Sequence, residues 1–570
     1  MARSTLQQID LTTLKALVYD LSNHLVPSRF EKAQQPDSAT LQLGFRSLRG
    51  MVWLELSWQA DCPRLIAIPP PAKAGAGSTL AQQLQHGLRQ MALVGLEQQG
   101  FERVVEFQMA TRPGAEIQRT LVLELMGRHS NLLLLDERRR VIAIGRQVRD
   151  HQSRVRPIGT GDTYVPPPSL AGIPPQRDES FQRWQERLLV LPVTLKQALQ
   201  QTYQGISPAL AQQLGGDRLA LPVHDLSKQD WAELHGQWQR WLGVLHAQTY
   251  TLTWLPSGGY SVWLHADANR AAMPQLAREL GAWYARRLSQ RQLAQQVNDV
   301  RQHLNRWRRK EQAAFDDQSK RLVGTEDADA LQREADALLC LAQPSRDQVD
   351  EAQRLYRKAR KLRRSILILR ERQAHHRHRL ELIDESDAFI DDFEAAGWET
   401  ADERSAALEA LRSEFEDLLT PQSRRDKKRR QRSQQPSPLE ITSPAGLVVQ
   451  IGRNHRQNEW ISLRQARSGD LWFHAQETPG SHVVLKASEG TAGGDDDLQL
   501  ASDLAALFSR ARGNIRVPVV MVPTDDLQRI PGAGPGTVRH RGGAVRWGEP
   551  DRARQHLSAG EAPSLELPVV

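Results

Sequence analysis

LAQQVNDVRQHLNRW (293–307) and LYRKARKLRRSILIL (355–369) decide how this chain is built. Leu293, Val297, Val300, Leu304 and Trp307 are spaced 4, 3, 4, 3, and so are Leu355, Ala359, Leu362, Ile366 and Leu369. That spacing is a heptad seam, which buries itself only against another helix. Gly324 and Pro344 lie between the two segments and argue against one continuous rod. The expectation is an antiparallel coiled-coil hairpin over 281–420 with a small helical tip. An arm of about 30 residues would reach ~45 Å at the helical rise, so the hairpin is a spacer or lever. A third run, Leu408, Leu411, Phe415 and Leu418, leads the chain back toward its body before Pro421.

Working outward, the segment before the hairpin is of mixed character. Residues 11–26 have the period of an amphipathic helix. VWLELSW (52–58), RLIAI (64–68), RVVEFQM (103–109), RTLVLELM (119–126) and NLLLLD (131–136) have that of strands. LAQQLQHGLRQMALVGLEQ, after the PPPAKAGAGS loop, reads as a helix interrupted by glycines. This predicts an α+β domain over 1–175 and a helical module over 176–240, in which Ser207-Pro208 of GISPALAQQL starts a helix. Residues 241–280, with the strand pair TLTWLP and YSVWLH, return to the N-terminal body.

Beyond the hairpin, 421–438 is a linker with seven basic residues in positions 424–432. Charges so dense repel one another unless phosphates or counterions neutralise them, which favours a nucleic-acid contact. From 439 to 550 the pattern is again α+β: LVVQIG, EWISLRQA, LWFHA, HVVLKA and VPVVMV read as strands and LQLASDLAALFSRAR as a helix. Residues 551–570 read as a disordered tail.

Bulk numbers bound the function. Lys plus Arg total 75 against 67 Asp plus Glu, a net charge of +8 that favours a polyanionic partner. Cys62 and Cys340 are the only cysteines, which leaves neither a disulfide framework nor a cysteine zinc site. No run has the ~18 apolar residues of a membrane span and no cleavable leader opens the chain, so the expected place is the cytoplasm, with no membrane contact.

Candidate chemistry is sparse. In LWFHAQETPGSHVVLKA (471–487), Ser481 and His482 are neighbours, and adjacent side chains of an extended strand point to opposite faces, so they make no dyad. Pro479-Gly480 fits a type II turn joining two strands, which would place His474 and His482 face to face. Two histidines lack a third metal ligand. Trp472 and Phe473 cannot both face one side of a regular strand, so one packs and the other is available to stack. GRHSN (127–131) offers Arg128 as a bidentate phosphate grip beside His129. GAGPGTVRHRGG (532–543) lacks the strand-to-helix setting of a dinucleotide site. Asp10, Glu102 and Arg103, taken alone, are ordinary surface charges.

ELMGRHSNLLLLD (124–136), GISPALAQQL (205–214), EAQRLYRKARKLRRS (351–365) and GDLWFHAQETPGSHVVLK (469–486), in this order, closely resemble the NFACT family of ribosome-quality-control factors. The resemblance covers residues 5 to 545. It implies a multidomain α+β protein with a glycosylase-like N-terminal α+β domain, a helix-hairpin-helix module, a long antiparallel coiled-coil hairpin and a C-terminal α+β RNA-binding-type domain. It also implies binding to large ribosomal subunits blocked by peptidyl-tRNA, and recruitment of alanyl-tRNA for template-free alanine tailing that marks the nascent chain for degradation. Peptide transfer then occurs in the ribosome, so neither catalytic residue, cofactor nor metal is called for. A glycosylase activity itself is excluded, because Ala2 stands where those enzymes keep a proline nucleophile and two cysteines cannot build their zinc finger.

Carried over residue by residue, the family's N-terminal aspartate falls on Asp10, and its Asp-Arg pair for tRNA recognition falls on Glu102-Arg103, one methylene longer at the acid. Arg128 and His129 join them as tRNA contacts. Arg424, Arg425, Lys427, Lys428, Arg429 and Arg430 of the linker, with Trp472, His474 and His482, are the candidate rRNA contacts. Two other classes of function stand beside this one: a surface fibronectin-binding adhesin, and an RNA-binding protein without tailing activity.

Overall fold

The computed structural model describes residues 6–73, 78–153, 155–264, 275–323, 327–396, 401–419, 436–489, 493–530 and 534–560. The chain divides into two compact units, residues 1–288 and 289–570. The basic positions 424–430 lie outside the described residues.

The first unit opens with α1 (Leu11–Leu25), whose N-cap is Asp10. Two antiparallel meanders follow: β1 (Ser28–Asp37), β2 (Thr40–Ser47), β3 (Gly50–Ser57) and β4 (Arg64–Ile68), then, after α2 (Thr79–Gly87), β5 (Ala92–Glu97), β6 (Val104–Ala110), β7 (Arg119–Glu124), β8 (Asn131–Leu135) and β9 (Val141–Ile144). They join through β1 and β5 into one nine-stranded sheet of order β4-β3-β2-β1-β5-β6-β7-β8-β9. The glycine-interrupted helix read over 80–98 is thus corrected. Helix α2 stops at Gly87, and ALVGLE becomes the strand that ties the two meanders, with Leu93 fully buried. An inner sheet position outweighs the weak local preference of a Leu/Val/Gly segment.

Helices α3 (Phe181–Leu188), α4 (Leu195–Thr202), α5 (Pro208–Gly215) and α6 (Lys228–Ala247) form the helical module. Ser207 caps α5 with Pro208 in its first turn, the arrangement expected where the proline N–H would be unpaired anyway. Trp184, Trp238 and Trp241 bury completely there, and Trp241 Nε1 donates to Thr12 Oγ1 of α1 at 3.0 Å, so module and sheet share one core. The short pair β10 (Thr253–Trp254) and β11 (Tyr260–Ser261) follows, and α7 (Leu276–Val323) begins in this unit, where the buried Asp20 carboxylate accepts the Ala277 N–H at 2.9 Å.

In the second unit, α7 and then α8 (Asp327–Leu339) run antiparallel to α9 (Arg346–Ala395). The register is read from Arg301–Asp391, Arg308–Asp384, Ser319–Gln373 and Arg363–Asp329, each pair summing to 692. Helix α8 therefore prolongs one arm rather than forming a separate tip, and the chain reverses between Leu339 and Arg346. Helix α10 (Ala401–Leu419) closes the stem, its Leu408, Leu411 and Phe415 packing with Val300, Leu304, Ile383 and Phe389.

The last domain contains β12 (Leu439–Thr442), β13 (Val448–Ile451), α11 (His455–Glu459), β14 (Leu471–Ala475), β15 (Val483–Leu485), α12 (Asp495–Leu507), β16 (Val517–Pro523), β17 (Leu527–Arg529), β18 (Val538–His540), β19 (Ala544–Gly548) and α13 (Pro550–Gly560). Its six-stranded antiparallel sheet has the order β12-β13-β15-β14-β16-β19. Two expectations change here. EWISLRQA is not a strand: α11 and a π-turn over Trp460–Arg464 replace it. Residues 551–560 of the expected tail are helical, with Ala553 buried and Arg552 paired with Asp503; residues 561–570 lie outside the described residues. His455 of this domain is fully buried against Glu385 (3.2 Å), Ser386 (3.1 Å) and Phe389 of α9. Arg512 meets Asp392 at 2.6 Å, which fastens sheet domain to stem.

Candidate nucleic-acid interface

In the first unit, Asp10 performs two tasks at once. Its Oδ1 accepts the Thr13 N–H at 2.9 Å, capping α1, and its Oδ2 accepts the Ser207 hydroxyl at 2.7 Å, while Ser207 Oγ accepts the Leu210 N–H at 2.9 Å. The starts of two helices are thereby bolted together by one carboxylate that is 6% exposed. Glu102, in the loop before β6, turns Oε1 to the Leu170 N–H at 2.9 Å, whereas its Oε2 is buried with no partner among the described residues.

Arg103 is the residue that this frame surrounds. It is half-buried, and burial lowers its pKa while the charges of Asp10 and Glu102 pull the other way. Among the described residues, nothing hydrogen-bonds to its guanidinium. Lys15 is a second half-buried cation: its Nζ lies 5.9 Å from the centre of the Phe101 ring, and burial lowers its pKa. Phe101 also packs near Leu11 at Gly205, whose φ of +78° and close neighbours exclude a larger residue. Arg103, partly desolvated with the acids Asp10 and Glu102 near but not bonded to it, offers a receptive group for phosphate, and Lys15 is a second partly desolvated cation of the same unit. Lys15 escaped the sequence reading, although it is the one charge in the otherwise uncharged LTTLKALVY. Arg128 and His129 are exposed on the one-turn helix Gly127–His129, which follows Leu125, whose N–H donates to Arg103 O at 2.9 Å; Arg128 Nε donates to His129 Nε2 at 3.0 Å.

In the second unit, β14 pairs with β15 as Leu471↔Leu485, Trp472↔Val484 and Phe473↔Val483. His474 and His482 then face each other, ring centres 5.4 Å apart and nearly perpendicular. Trp472 stacks on His474 at 5.6 Å and meets His482 edge-on at 5.1 Å. Both Trp472 and Phe473 are buried, contrary to the expectation that one would be free, because both faces of this sheet are covered. Phe473 joins the core beneath α12, and Trp472 joins Ile461, Val484, Val520 and Val522 on the opposite face.

His482, 6% exposed, is likewise not a surface contact. Its Nδ1 shares a 2.8 Å hydrogen bond with Ser462 Oγ, and burial and the neighbouring His474 hold its pKa well below the ordinary value. That Ser-His pair is enclosed, so no substrate reaches it, and Ser481 Oγ is buried without a partner among the described residues. His474 is the half-buried member of the cluster, its pKa also lowered by burial.

The turn differs from the expected type as well. Gly480 does not adopt positive φ; Glu477 does, at 52°. A Cβ on Gly480 would stand 2.8 Å from Ser509 Cβ and 2.9 Å from Phe508 O, so close approach of two chain segments, not turn geometry, requires the glycine. Among the described residues no group of three or more His, Cys, Asp or Glu could hold a metal, and no helix is long and apolar enough to cross a membrane.

Fold and site together define a two-unit α+β protein in which a long antiparallel coiled coil leads into a six-stranded sheet domain. A family model for NFACT N-terminal and middle domains matches residues 10–347, and a model for the NFACT protein RNA binding domain matches residues 439–542. The chain belongs to the NFACT family. It is 26% identical over 568 residues to the Rqc2 homolog RqcH of Streptococcus pneumoniae serotype 2 (strain D39 / NCTC 7466), covering 93% of this chain and 95% of that one. It is 24% identical over 485 residues to the Rqc2 homolog RqcH of Bacillus subtilis (strain 168), covering 78% and 80%. Among solved structures it resembles the C-terminal part of the fibronectin/fibrinogen-binding protein of Streptococcus suis at 24% identity and a TM-score of 0.38, covering 46% of this chain and 98% of that one.

Proposed function

We propose that this chain is a non-enzymatic ribosome-quality-control factor of the cytoplasm. It binds large ribosomal subunits still carrying peptidyl-tRNA and recruits alanyl-tRNA, so that alanine is added without a template to the C-terminus of the stalled nascent chain, which is then degraded. The observation that carries this reading is Arg103: a half-buried guanidinium with no hydrogen bond among the described residues, on a site braced by Asp10 and Ser207. A cation held in that state has its desolvation partly met before any ligand arrives, and it grips phosphate bidentately. The family's RNA binding domain and the name carried by its relatives support the same role.

Each part has a task that needs no chemistry of its own. The first unit takes tRNA at Asp10, Glu102, Arg103 and Lys15, with the exposed Arg128 and His129 as further contacts. The coiled-coil hairpin spans rRNA distance, and the basic linker with the final domain holds rRNA phosphates. The test is sedimentation of cell extract after induced stalling. The protein is expected with free large subunits and alanyl-tRNA, and the Arg103→Ala variant without the tRNA. A protein confined to ribosome-free fractions would overturn the reading.

A further inference from the structure

Strand β19 is the outer strand of the last sheet, paired with β16 as Pro518↔Trp547, Val519↔Arg546 and Val520↔Val545. Directly opposed residues share a face, so Val545 and Trp547 lie on the side of Val520, Trp472 and His474, while Arg546 lies on the α12 side with Asp495 at 2.7 Å. Near Trp472 this face is closed, but toward the edge it opens: Trp547 is 57% and Val545 52% exposed. The backbone beneath them is fixed. Trp547 O accepts Gln499 Nε2 at 2.8 Å, Glu549 N–H donates to Asp503 Oδ1 at 2.7 Å, and Gly548 sits so tightly on Ser502 that a Cβ would collide with its carbonyl. An exposed tryptophan on an anchored edge strand contributes little to the core and invites unwanted association, so its presence calls for a ligand.

Charge identifies the ligand class. Arg539, His540 and Arg541, at the end of β18 and in the turn after it, are all exposed. His540 lies 6.0 Å from the Trp472 ring, which brings that end of β18 to the same face. Among the described residues, the guanidinium groups of Arg539 and Arg541 have neither ion pair nor hydrogen bond, unlike Arg516, whose Nε is held by Glu549 at 2.9 Å. We propose that the face around Trp547 and Val545 is a stacking platform for an unpaired RNA base, with Arg539 and Arg541 on the flanking phosphates. An indole accepts any base on its π-face, and the uncommitted arginines on either side of His540 match the phosphate backbone. Trp547 lies beyond residue 542, where the match to the RNA binding domain ends, so the platform extends that domain. The inference rests on the RNA-binding reading of the second unit.

The test uses the full chain and fluorescein-labelled oligouridine, with a blunt RNA duplex as comparison, by anisotropy at one fixed salt concentration. Trp547→Ala is expected to weaken oligouridine binding roughly 10-fold, Trp547→Phe to restore most of it, and duplex binding to stay within about twofold. Arg539→Ala is expected to flatten the salt dependence for oligouridine. A wild-type chain that binds RNA, paired with a Trp547→Ala variant of equal oligouridine affinity, overturns the platform alone. Wild type that binds neither RNA overturns the proposed function along with it. Loss of a wild-type dimer on Trp547→Ala, seen by sedimentation with RNA affinity unchanged, makes the face a self-association surface and likewise overturns the platform.

Discussion

Asp10 Oδ2 accepts the Ser207 hydroxyl at 2.7 Å across 197 residues of sequence, while Oδ1 caps α1 at Thr13. One side chain therefore joins the sheet domain's first helix to α5 of the helical module. Asp10→Ala is expected to destabilise the first unit by about 1–2 kcal/mol, and Asp10→Ser, which can still cap α1, by less than half of that. Urea unfolding followed by circular dichroism gives both values. Equal losses would show that the bond to Ser207, not the cap, dominates.

Arg103 differs, because among the described residues its guanidinium makes no hydrogen bond and the pull of Asp10 and Glu102 is opposed by burial. Arg103→Ala is expected to leave the unfolding midpoint within about 0.5 kcal/mol of wild type. It should weaken tRNA binding roughly 10-fold, with Arg103→Lys intermediate because a point charge replaces a bidentate grip. Filter binding of purified tRNA, alongside the unfolding curve, separates a lost contact from a damaged fold.

Glu102 carries a structural duty that its longer side chain makes feasible: Oε1 holds the Leu170 N–H at 2.9 Å. Shortening it in Glu102→Asp should release that amide at a cost of about 1 kcal/mol. Hydrogen exchange at Leu170 is expected to accelerate roughly fivefold, with exchange in α5 unchanged.

Asp392, 4% exposed beside Arg512 at 2.6 Å, has a pKa that burial pushes up to about 7 against the pull of that guanidinium. A carboxyl whose folded pKa is raised contributes most stability below its unfolded value, near 4, and that contribution is lost as pH rises through about 7. The Asp392→Asn variant, which does not titrate there, should therefore gain on wild type between pH 5 and pH 8, by at most about 4 kcal/mol. Denaturation midpoints of the pair across that range check the sign, and a difference independent of pH would contradict it.

Much of this architecture is legible in the sequence, and the exceptions have physical causes. The seams at Val297, Val300 and Leu304 and at Ala359 and Leu369 are buried because the 4, 3 spacing has no other use. The strands β3, β4, β6, β7 and β8 show in their Leu/Val runs. Strand β1 did not, since SRFEKAQQPD carries polar residues on both faces, and β5 was hidden by leucines continuing from α2. The Trp472 expectation failed because one strand cannot reveal that both sides of its sheet are covered. Arg103 came into view through the family resemblance, and Lys15 did not, since its surroundings are made by Phe101, distant in sequence. Trp547 carried no sequence signal, because its exposure follows from the edge position of β19.

The central claim is that this chain drives untemplated alanine addition. Mass spectrometry of the C-termini of stalled nascent chains, from cells with the wild-type chain, without it, or with Arg103→Ala, tests that claim most directly. The account predicts alanine extensions with wild type alone. Stalled chains ending at the last templated residue in all three, while the protein still sediments with large subunits, would contradict it.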